Sequence, residues 1–182
     1  MPPRRPHDQL TQNDVRQILA AATSSDEDHL FLLLLAKTGR RIGELLNITA
    51  RDIDFHDKCI WTDIEKRRTK QRRKMFVDDE TLAELRRYIS RHSLSNSEKL
   101  FQRCKRMYQR LPMRYAEKAG IDKYFSVHGF RAYFITSLIK RGWSYDAIQK
   151  LTGHISIASL RAYDHAEIEV VEDRFRAIVN EL

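Results

Sequence analysis

Tyr163 carries a phenol that can attack phosphorus, and it stands at the end of the segment Leu151-Thr152-Gly153-His154 … Ser156-Ile157-Ala158-Ser159-Leu160-Arg161-Ala162-Tyr163. Upstream lie His128-Gly129-Phe130-Arg131 and Thr38-Gly39-Arg40-Arg41-Ile42-Gly43-Glu44. Transesterification at a phosphodiester needs a nucleophile, cations on the non-bridging oxygens, an acid for the leaving oxygen and a group that takes the nucleophile's proton. These residue types can fill those roles. A guanidinium fork holds two phosphate oxygens at once and stays charged at any working pH. His128 and Arg131, three apart at the start of a helix, share a face. An aryl phosphate ester conserves the energy of the broken bond, so a later hydroxyl can rejoin the strand. The scheme calls for no cofactor, no metal and no ATP.

Each box alone recurs by chance; their order and spacing bind them together. Tyr163 follows His154 by nine residues, and His154 follows Arg131 by 23. In this the chain resembles the catalytic domain of the tyrosine recombinases, the integrase family. Thr38, Gly39, Arg41 and Glu44 match that family's Thr-Gly-x-Arg-x-x-Glu pattern, and His128 and Arg131 its His-x-x-Arg box. Leu-Thr-Gly-His resembles its Leu-Gly-His turn.

The resemblance implies that Arg41 and Arg131 clamp the scissile phosphate, His154 donates to it, and His128 bonds the phosphate or takes the tyrosine proton. Tyr163 would form a 3′-phosphotyrosyl intermediate. Glu44 would orient an arginine or cap a neighbouring helix. The family's general acid is a lysine on a β-hairpin. Here the turn is rich in candidates: a long turn selects Lys66, a short one leaves Lys70. Arg67, Arg68, Lys70, Arg72 and Arg73 are expected to hold DNA backbone at the hairpin tip.

The implied activity is site-specific cleavage and rejoining of duplex DNA. A type IB topoisomerase-like nicking and closing activity, or a non-catalytic DNA-binding regulator on the same scaffold, are the competing readings. The filled catalytic slots and the His154 to Tyr163 spacing favour the recombinase.

The elements that must position these groups are mostly helical. Thr11 with Asp14 has the form of a capping box, and Val15, Ile18, Leu19 and Ala22 continue at helical spacing. Residues 26–37 form a second helix, apolar on most sides and therefore central, which Gly39 breaks. A short third helix is expected over 41–47. Ile60 to Ile64 and Lys74 to Val77 favour strands by their β-branched and aromatic content, with Lys66 to Arg73 between them as the hairpin tip. Acids at 78–80 open a helix to about Arg91 that presents Leu82, Leu85 and Ile89. Residues 101–119 are helical in pattern, kinked at Pro112 and ended by Gly120. Helices follow at about 128–141, 145–151 with Ser144 as N-cap, 157–163 and 167–180. The fold class is mostly α with one small antiparallel sheet, and the resemblance implies the tyrosine recombinase catalytic-domain fold.

At 182 residues the chain fits one domain, and 42% hydrophobic residues make it globular rather than disordered. Its net charge of +8 suits a polyanionic partner. Cys59 and Cys104 are too few for a disulfide framework and lie in no zinc pattern. With no apolar run near membrane-spanning length, a reducing cytoplasmic location on DNA is expected. Three of the four prolines fall within residues 1–6, so residues 1–9 read as a flexible basic arm or linker remnant and 10–182 as the catalytic domain.

The resemblance implies a preceding helical domain that clamps the far side of the DNA; the residues before Leu10 leave no room for one, so the chain is expected to be either a fragment of a longer enzyme or a stripped-down member. Binding by phosphate contacts alone would fall steeply with salt. The resemblance also implies a homo-oligomer, a tetramer on DNA. Residues 167–182 form an amphipathic helix that either docks on a neighbouring protomer or folds back on its own core, and Tyr163 is delivered in cis or in trans.

Overall fold

A computed structural model describes residues 9–64, 72–153 and 160. Helix α1 (Gln12–Ala21) begins where the sequence places it. Thr11 N–H donates to the Asp14 carboxylate at 2.9 Å and Asp14 N–H donates to the Thr11 hydroxyl at 3.1 Å, so two end groups are satisfied reciprocally. Helix α2 (Asp26–Thr38) opens on the Ser25 cap and three acids in its first turn, which complement its macrodipole. Leu30 to Leu35 are all buried, because α2 packs against α1, α4, α5 and α6 on different sides. Burying each of these side chains stabilises by about 1.5–3 kcal/mol, so α2 is the axis of the core.

Gly39 ends α2 in the left-handed conformation, φ +57°, with its N–H on the Leu35 carbonyl. A Cβ here would lie 2.5 Å from Phe134 Cδ1, so the glycine serves both the turn and a close approach. Phe134 belongs to α6 (Val127–Lys140), and its ring presses α6 onto the end of α2. That crossing fixes where Arg131, three residues earlier on α6, can reach.

After a short α3 (Ile42–Leu45) and a 3₁₀ turn, β1 (Ile53–Asp54), β2 (Cys59–Asp63) and β3 (Arg72–Phe76) form an antiparallel sheet in the order β1-β2-β3. Ile60 lies opposite Met75 and Thr62 opposite Arg73, while Trp61 faces Lys74. The period of two therefore divides β3: Met75 and Arg73 share the inward face with buried Ile60 and Thr62, and Lys74 lies on the other with its ammonium over the Trp61 ring. This corrects the hairpin assignment. Arg72 and Arg73 are strand residues, not tip residues, and β1 was not expected. Lys66, Arg67, Arg68 and Lys70 lie outside the described residues.

Helices α4 (Asp79–Arg91), α5 (Lys105–Lys118), α6 and α7 (Tyr145–Thr152) complete the described chain. The cap of α7 is Ser144, as expected. α5 starts four residues later than its pattern suggested and runs on through Pro112. Phe101 is buried in the core from a non-helical segment, stacked edge-on to Phe31. Trp143, in the turn between α6 and α7, is exposed. The expected helices at 157–163 and 167–180 lie outside the described residues. Among the described residues no helix is long and apolar enough to cross a membrane.

Asp14 also receives Lys123 at 3.1 Å. Burial opposes its ionisation, but the Thr11 hydrogen bonds and then Lys123 outweigh it and hold the carboxyl below its ordinary value. Asp52 and Asp78, each bonded to a nearby backbone N–H and a cation, are lowered in the same way against their own burial. A depressed folded pKa contributes stability that is present above the unfolded value of about 3.9 and lost as pH falls through the folded one. Thermal melts between roughly pH 6 and pH 2 should therefore be flat to about pH 4 and fall below it. Asp14→Asn should shallow that fall; an unchanged acid limb would show that Asp14 carries none of it.

Candidate active site

Beyond Gly39 the backbone is extended into Arg41, which has φ −69° and ψ 145° as the residue before α3. Arg41 thus precedes the third helix rather than lying on it. Consecutive side chains of an extended segment diverge. Arg40 goes inward and is 1% exposed, whereas the Arg41 side chain is 19% exposed. Arg40 Nη2 donates to the Lys74 carbonyl at 2.9 Å and so fastens β3 to the end of α2. Arg40 is thus a buried structural residue and not a solvated one.

Glu44, on α3, is fully buried, and its carboxylate is the anionic centre of the cluster. Arg73 Nη2 donates to both of its oxygens, at 3.0 and 2.9 Å, and Arg41 Nη1 donates at 3.2 Å. Arg40 Nη1 stands 3.9 Å away. Glu44 therefore orients arginines, one of the two roles expected for it.

The other half of the site is the end of α7. Gly153 caps it in the left-handed conformation, φ +68°, and turns its last carbonyls toward the arginines. The Thr152 carbonyl accepts from Arg73 Nη2 at 3.0 Å and from Arg131 Nη2 at 3.1 Å. The next carbonyl, of Gly153, accepts from Arg41 Nη1 and Nη2 at 3.4 Å. Arg131, 4% exposed, also donates through Nη1 to the Gly39 carbonyl at 2.5 Å. The unsatisfied carbonyls and negative dipole end of a helix C-terminus suit such cations. Arg41 and Arg131, 90 residues apart in sequence, thus meet on adjacent carbonyls. The residue after Gly153 is His154.

Three guanidiniums face one carboxylate and a fourth, of Arg131, joins them through the Thr152 carbonyl, so the cluster carries a large positive excess. Burial, and behind it the Arg73 guanidinium, pulls Arg40 down to about 9 while Glu44 opposes the shift; Arg40 remains charged at neutral pH. Arg40 Nε and Nη1 and Arg73 Nε are buried without a hydrogen-bond partner among the described residues. Such a preorganised cationic cluster is complementary to a phosphate and to the further charge it acquires in a pentacovalent transition state.

His128, on the first turn of α6, is exposed on the turn below Arg131. Leu160, three residues before Tyr163, is fully buried with Ile135, Leu138, Ile139 and Ile148, which ties that point of the chain to α6 and α7. His154 and Tyr163 lie outside the described residues, as does the candidate acid Lys66. Arg72 is bonded to Asp52 and, at 3.2 Å, to the Trp61 carbonyl.

Sequence reasoning missed the inward placement of Arg73 and the burial of Arg40. The signal for Arg73 was its spacing of two from Met75, which a buried strand face repeats. As for metals, the ligand atoms of Asp54, Asp57 and Cys59 lie within 4.8 Å of one another. However, Asp57 is paired with Lys74 at 2.6 Å, Asp54 accepts from two backbone N–H groups, and burial raises the Cys59 thiol. This is a braced turn whose acids are already partnered.

The sequence pattern of the phage integrase family matches residues 8–169 of this chain. Tyrosine recombinase XerA of Saccharolobus solfataricus is 30% identical over 167 residues, covering 91% of this chain and 55% of that protein. A tyrosine recombinase of Pseudothermotoga lettingae is 26% identical over 179 residues, 96% of this chain and 61% of its own. The chain thus spans little more than half the length of the curated relatives it matches. Among solved structures, a crystal structure of XerA recombinase superposes with a TM-score of 0.79 at 26% identity, over 97% of this chain and 66% of that one. The catalytic domain of bacteriophage HP1 integrase is alike in fold, with a TM-score of 0.68 at 18% identity, over 94% and 95% of the two chains.

Proposed function

This chain belongs to the phage integrase family, and from that premise we propose that it cleaves and rejoins duplex DNA at specific sites through a covalent 3′-phosphotyrosyl intermediate. The Tyr163 phenolate attacks phosphorus, its O–P bond forms, and the bond from phosphorus to the 5′-oxygen breaks. His128 helps take the phenol proton. A hairpin lysine, Lys66 or Lys70, gives a proton to the departing 5′-oxygen. Arg41, Arg131 and His154 hold the non-bridging oxygens. Reversal by a 5′-hydroxyl of another strand completes the exchange, and the ester bond carried through the intermediate makes ATP and metal unnecessary.

The observation that carries this reading is the meeting of Arg41 and Arg131 on the successive carbonyls of Thr152 and Gly153, with Glu44 behind them. Arginines that served only to bind the outside of a duplex would be spread over an exposed face. Here Arg131 is buried and held by two carbonyls, which suits one phosphate held in one place. The hairpin residues Arg67, Arg68 and Lys70 are assigned to DNA backbone. The protein is assigned to the cytoplasm, on DNA, assembling there as a homo-oligomer through residues 167–182.

The test is covalent trapping on a pool of nicked duplexes with randomised core sequence. Cleavage beside the nick releases a short fragment that diffuses away, so the reverse step is lost and the adduct accumulates. A protein–DNA band that survives denaturing electrophoresis, with the nucleotide mapped to Tyr163, is expected. No adduct across the pool, or an adduct on another tyrosine, overturns the proposal.

A further inference from the structure

We infer that Arg73 is a positioning residue for strand cleavage, which sets the hairpin's acid against the phosphate clamp. The inference rests on the proposed function and goes beyond it, because Arg73 was expected only as a backbone contact at the hairpin tip.

Arg73 is the second residue of β3, immediately after the segment 65–71 that carries Lys66 and Lys70. Its Cα is paired with Thr62 near the end of β2, so it lies at the root of the hairpin rather than on it. Its side chain is turned into the protein and is 13% exposed. The same Nη2 donates to both Glu44 oxygens and to the Thr152 carbonyl at 3.0 Å. Glu44 in turn holds Arg41. The Thr152 carbonyl also holds Arg131 and lies two residues before His154. One guanidinium therefore ties the hairpin root to the elements that present both clamp arginines.

The α7 turn is shaped around this group. A Cβ at Gly153 would fall 1.2 Å from Arg73 Nη1, inside the guanidinium itself. A group there to grip DNA backbone would stand in solvent. The geometry has the form of a clasp with three arms.

In the cleavage step the bond to the 5′-oxygen breaks as a lysine ammonium proton passes to that oxygen, and the Tyr163 oxygen replaces it on phosphorus. A displacement of about 1 Å in such an arrangement costs on the order of 10²-fold in rate. Loosening the clasp shifts the hairpin against the clamp, so the proton transfer suffers most. When the bridging 5′-oxygen is replaced by sulfur, the leaving thiolate departs without a proton. A defect that lies in acid placement is then relieved.

The experiment compares wild type, Arg73→Gln and Arg73→Lys in single-turnover cleavage of nicked duplexes with an ordinary 5′-oxygen or a 5′-bridging sulfur, together with duplex affinity. Arg73→Gln should cleave the oxygen substrate about 10- to 100-fold more slowly, with affinity within about twofold, and the sulfur substrate at close to the wild-type rate. Arg73→Lys keeps the charge but not the fork and should show the same relief. Arg73→Lys, which keeps a cation beside Glu44, carries the test if Arg73→Gln is poorly folded.

Loss of affinity in step with loss of rate would make Arg73 a DNA contact and overturn the inference. So would an oxygen-to-sulfur rate ratio equal to that of wild type. If wild type itself forms no adduct with either substrate, it is the strand-cleavage reading that fails; if wild type cleaves both and the variants match it, only the clasp fails.

Discussion

Arg131→Ala is expected to slow strand cleavage by about 10²- to 10³-fold, the cost of roughly 3–4 kcal/mol that follows loss of one preorganised donor to a developing oxyanion. The size of the effect comes from how firmly the side chain is held. Its two terminal nitrogens are taken by the Gly39 and Thr152 carbonyls, and it is almost wholly buried. The turn of α6 beneath it is anchored by buried Phe130 and by the Phe134 ring against Gly39. A donor so fixed loses little on meeting the transition state, whereas a surface arginine must give up side-chain freedom first.

Duplex affinity should fall far less, because one phosphate contact among many is removed. Single-turnover cleavage set beside fluorescence anisotropy separates the two. Equal losses in both would mean that Arg131 binds ground state and transition state alike, and the clamp assignment would be wrong. Arg131→Lys is the sharper control. It restores the charge but cannot span two carbonyls and a phosphate, so it should recover affinity and little of the rate.

The pairing of Arg41 with Arg131 was legible in the sequence, because short-range patterns name each box and only the fold is needed to close the gap. Most of the helices among the described residues were legible for the same reason. The Thr11–Asp14 box, the all-round apolar run of α2, its stop at Gly39 and the Ser144 cap are local features with local causes. What the sequence concealed depends on partners far away along the chain. Arg72, Arg73 and Lys74 form a run of like charge with no alternation, and only pairing with β2 decides that Arg73 faces inward. Arg40 reads as surface because an arginine is seldom buried alone. Its burial is sustained by Glu44 and by the Lys74 carbonyl, 34 residues on. Phe101 shows the converse: an apolar residue at helical spacing from α5 enters the core from a loop, since burial alone does not specify the backbone.

Glu44→Gln should lower the melting temperature by roughly 10 °C. Removing one partner of a buried charge cluster typically costs about 3–5 kcal/mol, and each kcal/mol shifts a domain of this size by about 2–4 °C. The substitution keeps the shape and removes the only carboxylate among four guanidiniums in the described cluster. An amide also turns a donor toward Arg41 or Arg73, which have only donors to offer. Because the deficit is one of negative charge, an added anion should repair it. Sulfate should raise the melting temperature of Glu44→Gln by more than it raises that of wild type, a difference that cancels the general salting effect common to both.

Duplex binding in low salt should be undiminished, since the variant is more positive, yet cleavage should fall sharply because Arg41 and Arg73 lose their common anchor. Calorimetric melts with and without sulfate, with the trapping assay beside them, test this directly. An unchanged melting temperature, or equal sulfate increments in the two proteins, would show that Glu44 does not hold the cluster together. The arginines would then owe their convergence to the α7 carbonyls alone.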